Sequence, residues 1–159
     1  DNVTFLVRGM PGAWSDLLWP HRWVLYSENA YINGARVYDY NLNMEQGGYF
    51  NVGTLCHEFF HSLGAPDLYH YWDEVAPVAV GGWDVMDQSS DTPQSMTAYM
   101  KYRYTDWINE LPILNNGGTY ELSPLSEPNN NILRINSPSS NIFSWSNAGS
   151  SSLHAKAES

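Results

Sequence analysis

With 159 residues, 43% of them hydrophobic, the chain is long enough to bury one core without disulfide staples and reads as a single domain. Seven scattered Lys and Arg against 17 Asp and Glu give a net charge of −10, which excludes a nucleic-acid-binding face or a surface for anionic membranes. The lone cysteine, Cys56, excludes an intrachain disulfide, and no apolar run is long enough to span a bilayer. Seven Trp and eleven Tyr, with plentiful Asn, Ser and Gly, suit a secreted, loop-rich protein. A start at Asp1 without Met is expected of a processed product or a fragment.

In chain order, NVTFLV at Asn2 to Val7 is β-branched, aromatic and apolar, and predicts a buried strand in a central sheet. Arg8 to Pro20 mixes Gly, Pro and Trp without periodicity, which predicts a loop with one helical turn at Ser15 to Leu18. WPHRWVLYS resumes a strand, and His21 within it reads as a packing or hydrogen-bonding residue rather than a ligand. Tyr31 to Tyr40 carries Asn33-Gly34 between short apolar runs, a strong hairpin signal. Asn41 to Gly48, polar with paired glycines, predicts a loop.

Val52 to Tyr69, VGTLCHEFFHSLGAPDLY, holds H-E-x-x-H. On a helix His57 and His61 lie one turn apart and face the same way, so both imidazoles can reach one ion, with Glu58 beside them as a base for water. Val52, Leu55, Phe59, Phe60 and Leu63 predict that this helix is buried. Gly64 ends it, and the chain can return within three residues to present Asp67. Two histidines and one acid leave a coordination position open, as in catalytic rather than structural zinc sites. Chance alone, at this composition, gives about 0.008 copies of H-E-x-x-H. A plain core helix with two satisfied histidines has no reason to hold Glu58 between them and then break at Gly64. Cys56 reads as a small apolar residue on the inner face, since no partner for thiolate chemistry is in place. His70, Asp73 and Glu74 are rivals of Asp67, but no second helix precedes Glu74, and they read as hydrogen-bonding partners of the ligands or as a solvated loop face.

HEFFHSLGAPDLY followed by GGWDVMDQSS resembles the immune-inhibitor-A family of secreted bacterial metallopeptidases, within the broader metzincin-like zinc proteases. The resemblance extends more loosely to LWPHRW and TAYMKYRYTDWI, roughly residues 1 to 135. It implies His57, His61 and Asp67 as metal ligands, Glu58 as general base and acid, and Met86 as the Met-turn residue beneath the metal. It also implies a secreted, bacterial protein. Gln88 stands where many relatives of this broad group carry a tyrosine. Asp84 and Asp87 are either turn formers or acceptors of an imidazole N–H.

Beyond Thr92-Pro93, apolar residues from Met96 to Trp107 recur at three and four residues, predicting an amphipathic helix over Ser95 to Ile108, capped by Thr92 or Ser95. Thr119 to Leu122 and Asn131 to Asn136 alternate like short strands about a turn. From Ser137 the chain is Ser- and Asn-rich and predicts a flexible tail, in which His154 carries no function. The expected fold is therefore α+β, with a twisted mixed sheet, an active-site helix and a C-terminal helix after the Met-turn. The expected domains are a metallopeptidase domain at 1–136 and a tail at 137–159. The expected function is zinc-dependent endopeptidase action on proteins or peptides, which an edge strand could bind in extended form. The alternatives are a catalytically silent zinc-binding module and a metal-dependent hydrolase of non-peptide amides or esters. Zn2+ is the expected cofactor, and the acidic loops leave Ca2+ open although no D-x-D-x-D-G run marks a site. No nucleic acid or membrane span is expected, and the chain is expected to be a monomer.

Overall fold

A computed structural model describes residues 2–46, 48, 50–72, 75–124, 127, 132–136, 143–145 and 153–155. The chain forms two compact units, Asp1–Met96 and Thr97–Ser159. The first contains β1 (Asn2–Val7), β2 (His21–Val24), β3 (Ala30–Ile32), β4 (Ala35–Val37), β5 (Asp39–Met44) and α1 (Val52–Ser62). β1, β5 and β2 form one sheet in that order, β5 running parallel to β1 and antiparallel to β2. β3 and β4 make the expected hairpin, with Asn33 (φ 51°) and Gly34 (φ 81°) both left-handed, as a two-residue primed turn requires.

Two expectations about this sheet are corrected. β1 is an edge strand and not a buried one: Phe5 and Leu6 are about half exposed. Asn41 to Met44 belongs to the central strand and not to a loop. Asn41 and Asn43, two residues apart, point to one face of β5 and are fully buried there, where apolar residues would have signalled a strand. None of their four side-chain N and O atoms has a protein hydrogen-bond partner, an arrangement that costs about 1–3 kcal/mol per unsatisfied group.

α1 is defined at both ends. Asn51 caps its start, Oδ1 accepting from the Thr54 N–H at 2.8 Å. At its end Gly64 takes φ 96°, and the N–H groups of Gly64 and Ala65 donate to His61 O and Phe60 O at 3.0 and 3.1 Å, a Schellman closure. The expected burial of its apolar run is also corrected: Val52, Phe59 and Leu63 are 53%, 44% and 52% exposed, whereas Gly53, His57 and Glu58 are buried. The face that carries His57 and Glu58 turns inward, where Val85 O lies 2.8 Å from His57 Nδ1. Cys56 is half-buried. The helical turn expected at Ser15 to Leu18 is preceded by a 3-10 turn over Gly12–Trp14, and the Trp14 carbonyl accepts from Leu17 and Leu18 N–H.

The second unit holds α2 (Ala98–Tyr104), β6 (Ile113–Leu114), β7 (Gly118–Tyr120), β8 (Arg134–Asn136), β9 (Phe143–Trp145) and β10 (Leu153–Ala155). α2 is half as long as its apolar periodicity predicts. Thr97 is extended (ψ 158°), and at the far end the Thr105 hydroxyl donates to Lys101 O and accepts from Trp107 N–H, which closes the helix. The two expected strands do not pair with each other: β8 lies between β6 and β9, and β7 pairs with β10. The segment read as a tail thus contributes β9 and β10, and its other residues lie outside those described.

Gly53 faces the backbone of Ser90 so closely that a Cβ there would lie 2.0 Å from Ser90 O. Gly53→Ala is therefore expected to destabilise by about 1–3 kcal/mol through overpacking, despite the roughly 1 kcal/mol that alanine gains in a helix. A thermal melt of the variant that matches or exceeds wild type would show that this contact does not constrain α1.

Candidate metal centre

His57 and His61 project from the same side of α1, and each imidazole is held by a carbonyl from elsewhere in the chain. His57 Nδ1 lies 2.8 Å from Val85 O, and His61 Nδ1 lies 2.8 Å from Ala65 O. A carbonyl only accepts, so both Nδ1 atoms carry a proton, and both Nε2 atoms are turned toward Asp67. The Schellman turn at Gly64 is what brings the Ala65 carbonyl back to His61.

The same return delivers Asp67. Its Oδ1 lies 2.8 Å from His57 Nε2 and 3.2 Å from His61 Nε2, and the two Nε2 atoms are 3.1 Å apart. Three potential ligand atoms therefore converge, with Asp67 Oδ1 buried among them. Such a triangle is repulsive unless a positive charge, a proton or a metal cation, sits in it. Its edges approach the roughly 3.3 Å that separates ligand atoms on a tetrahedral ion with bonds of about 2.0–2.1 Å. The donor set of two imidazoles and a carboxylate fits a metal cation, and no other group of three His, Cys, Asp or Glu side chains gathers among the described residues.

Electrostatics agree with that reading. Burial disfavours each imidazolium, but the Asp67 carboxylate and the backbone carbonyls outweigh it, and both histidine pKa values are raised. Burial would raise the Asp67 pKa, yet the two imidazoles and the Tyr71 hydroxyl hold it well below the usual carboxylate range. Burial pushes Glu58 upward, assisted by Asp67 and opposed by the two histidines.

Sequence reasoning missed the two tyrosines. Tyr71 O–H donates to Asp67 Oδ2, the oxygen turned away from the imidazoles, and burial with this hydrogen bond pushes its pKa up to about 12. Tyr69 stacks on His57, with ring centroids 6.2 Å apart. The proximity of Tyr69 and Tyr71 to Asp67 in sequence was the available signal, but it gains meaning only once the path of this segment is known. Gln88 is not in this cluster.

Other candidates lie outside the cluster. His21 Nδ1 is 2.7 Å from Trp19 O, and His70 Nε2 is 3.0 Å from Pro77 O. Asp73 and Glu74 fall outside the described residues. Asp84 and Asp87 do not accept the Nδ1 protons of His57 and His61: Asp84 Oδ1 accepts from Met86 N–H at 2.8 Å, and Asp87 Oδ2 accepts from Val80 and Gly81 N–H at 2.8 and 2.7 Å. They shape the turn that holds Val85 and Met86, both fully buried. Met86 O in turn accepts from Leu68 N–H at 2.9 Å, next to Asp67. A cavity of about 320 Å³ opens beside the cluster, walled by Arg22, Trp23 and Val24 of β2 and by His61, Ala65 and Asp67.

Protons and metal compete for one position, which fixes two expectations. Without metal, raised histidine pKa values stabilise the fold below their unfolded value of about 6.5, and that contribution is lost as pH rises through the folded values. With a divalent cation bound the trend reverses, because acid strips the ligands. Melting temperature against pH, with and without chelator, is expected to show these opposite slopes; parallel curves would contradict a shared site. Tyr71→Phe is expected to weaken metal affinity about tenfold by releasing Asp67, read by competition with a chelating dye.

The family profile described as Immune inhibitor A peptidase M6, catalytic domain, matches residues 9–118. Immune inhibitor A of Bacillus thuringiensis subsp. alesti is 26% identical over 160 aligned positions, covering 80% of this chain and 23% of the relative. The chain thus spans about a quarter of that relative's length. With 110 of 159 residues under the profile, the chain belongs to the immune inhibitor A peptidase M6 family, in its catalytic domain.

Proposed function

We propose that the chain carries the catalytic centre of a secreted zinc endopeptidase, with His57, His61 and Asp67 as ligands and Glu58 as general base and acid. The observation that carries this reading is the convergence of two Nε2 atoms and a carboxylate oxygen, with buried Glu58 next to His57 in the chain. A mixed nitrogen and oxygen set of three favours zinc with one position open to substrate. Zn2+ held there supplies Lewis acidity, which acidifies water to a pKa of about 7 and polarises the scissile carbonyl.

The chain's own groups do the rest. Glu58 takes the proton of the attacking water and delivers it to the departing amine, so no covalent intermediate forms on the protein. Its upward-shifted pKa suits a group that must both accept and return a proton near neutrality. Tyr71 holds Asp67 in orientation, and Met86 forms an apolar floor beneath the imidazoles. β2 is an edge strand bordering the cavity, so an extended peptide can add to it through main-chain hydrogen bonds while one side chain enters the cavity.

Elemental analysis of the full-length protein is expected to find about one zinc per chain, with casein hydrolysis abolished by chelator. Glu58→Gln is expected to keep the zinc and lose activity by about 10²–10⁴-fold, and His61→Ala to lose both. Zinc without cleavage in wild type would indicate a silent metal-binding module, and Glu58→Gln with undiminished cleavage would remove Glu58 as the base.

A further inference from the structure

Asn41 and Asn43 are fully buried on the central strand, and their four side-chain polar atoms have no protein partner. What faces them follows from the register of β5 against α1. Only Glu45 to Asn51 connect the two elements, so α1 runs back antiparallel along β5, against which it packs. The anchor of the register is at the far end. Asn2 Nδ2 donates to Asp39 Oδ2 at 2.6 Å and lies 3.1 Å from Ser62 Oγ, and the Ser62 hydroxyl also hydrogen-bonds Asp39. Ser62 therefore sits against Asp39.

Four residues back along the helix, about 6 Å, match two residues of strand, about 6.6 Å. Glu58 thus lies over Asn41, and Thr54 over Asn43, because residues 39, 41 and 43 share one face of the strand. Glu58 and Asn41 are both buried, yet the Asn41 carboxamide makes no hydrogen bond to Glu58.

The chemistry of the layer decides what can satisfy these amides. Asp39 is answered by the Arg22 guanidinium and by Asn2, so it leaves no uncompensated negative charge to hold a cation. Two neutral carboxamides offer both donors and acceptors, and water is the ligand that is both. We propose that Asn41 and Asn43 hold ordered water between β5 and α1, and that through this water Asn41 positions the Glu58 side chain. This rests on the reading of Glu58 as the base; the water site itself does not. Asn41 is a positioning residue, since it acts through Glu58.

The test has three arms, all on the full-length zinc-loaded protein. A crystal structure of wild type at a resolution that shows solvent is expected to place water within about 2.7–3.2 Å of the Asn41 and Asn43 amide atoms and of a Glu58 oxygen. Density showing a dry interface overturns the proposal. Asn41→Leu is expected to lower kcat about tenfold or more, with KM and zinc content unchanged and a lower Tm, whereas Asn41→Ser, which admits a further water, recovers most of kcat. Asn43→Leu is expected to lower Tm with a smaller effect on kcat. An Asn41→Leu variant that keeps kcat and melts higher is the behaviour of an unpartnered amide replaced by hydrocarbon, and it overturns the proposal. If Asn41→Leu does not fold, the wild-type density and Asn41→Ser decide. If wild type cleaves no peptide, the protease reading fails while the density and Tm arms still decide the water site.

Discussion

Two hydrogen bonds from imidazole Nδ1 to backbone carbonyls carry the rest of the structure. By committing those N–H groups to Val85 O and Ala65 O, the fold turns the Nε2 atoms of His57 and His61 toward one point. Asp67 Oδ1 meets both of them there. A site of this kind is costly to build without a positive charge in it, since three electron-rich groups must be held within about a van der Waals contact. The helix cap at Gly64 and the turn around Met86 exist, in physical terms, to hold the two carbonyls that make that arrangement obligatory.

The helix that bears the histidines is inverted relative to the usual amphipathic rule. Its buried side presents Gly53, His57 and Glu58, and its apolar side chains Val52, Phe59 and Leu63 stand half exposed. The inward face is held by hydrogen bonds and by the close approach of Ser90 to Gly53, with Leu55, Cys56 and Phe60 half-buried beside it. Directional contacts thus fix α1 alongside partial apolar burial.

That inversion explains what could be read from the chain and what could not. H-E-x-x-H with Gly64 and Asp67 was legible because its spacing maps directly onto helix geometry and a glycine cap, neither of which depends on distant residues. Strand β5 was not legible: its inward positions are Asn41 and Asn43, and a polar alternation looks like a loop until its neighbours are known. α2 was read too long because its apolar period continues past Thr105, whose hydroxyl ends the helix through a local contact that no periodicity records. Tyr71 escaped because its role depends on where Asp67 turns its second oxygen.

One detail of the turn at Asp84 to Gln88 reaches further. Val85 O orients His57, and the very next carbonyl, Met86 O, accepts from Leu68 beside Asp67. His57 and Asp67, ten positions apart in sequence, are thereby referenced to adjacent peptide groups. One turn thus sets both the His57 ring and the backbone beside Asp67 through neighbouring carbonyls, while His61 takes its orientation from the cap of its own helix.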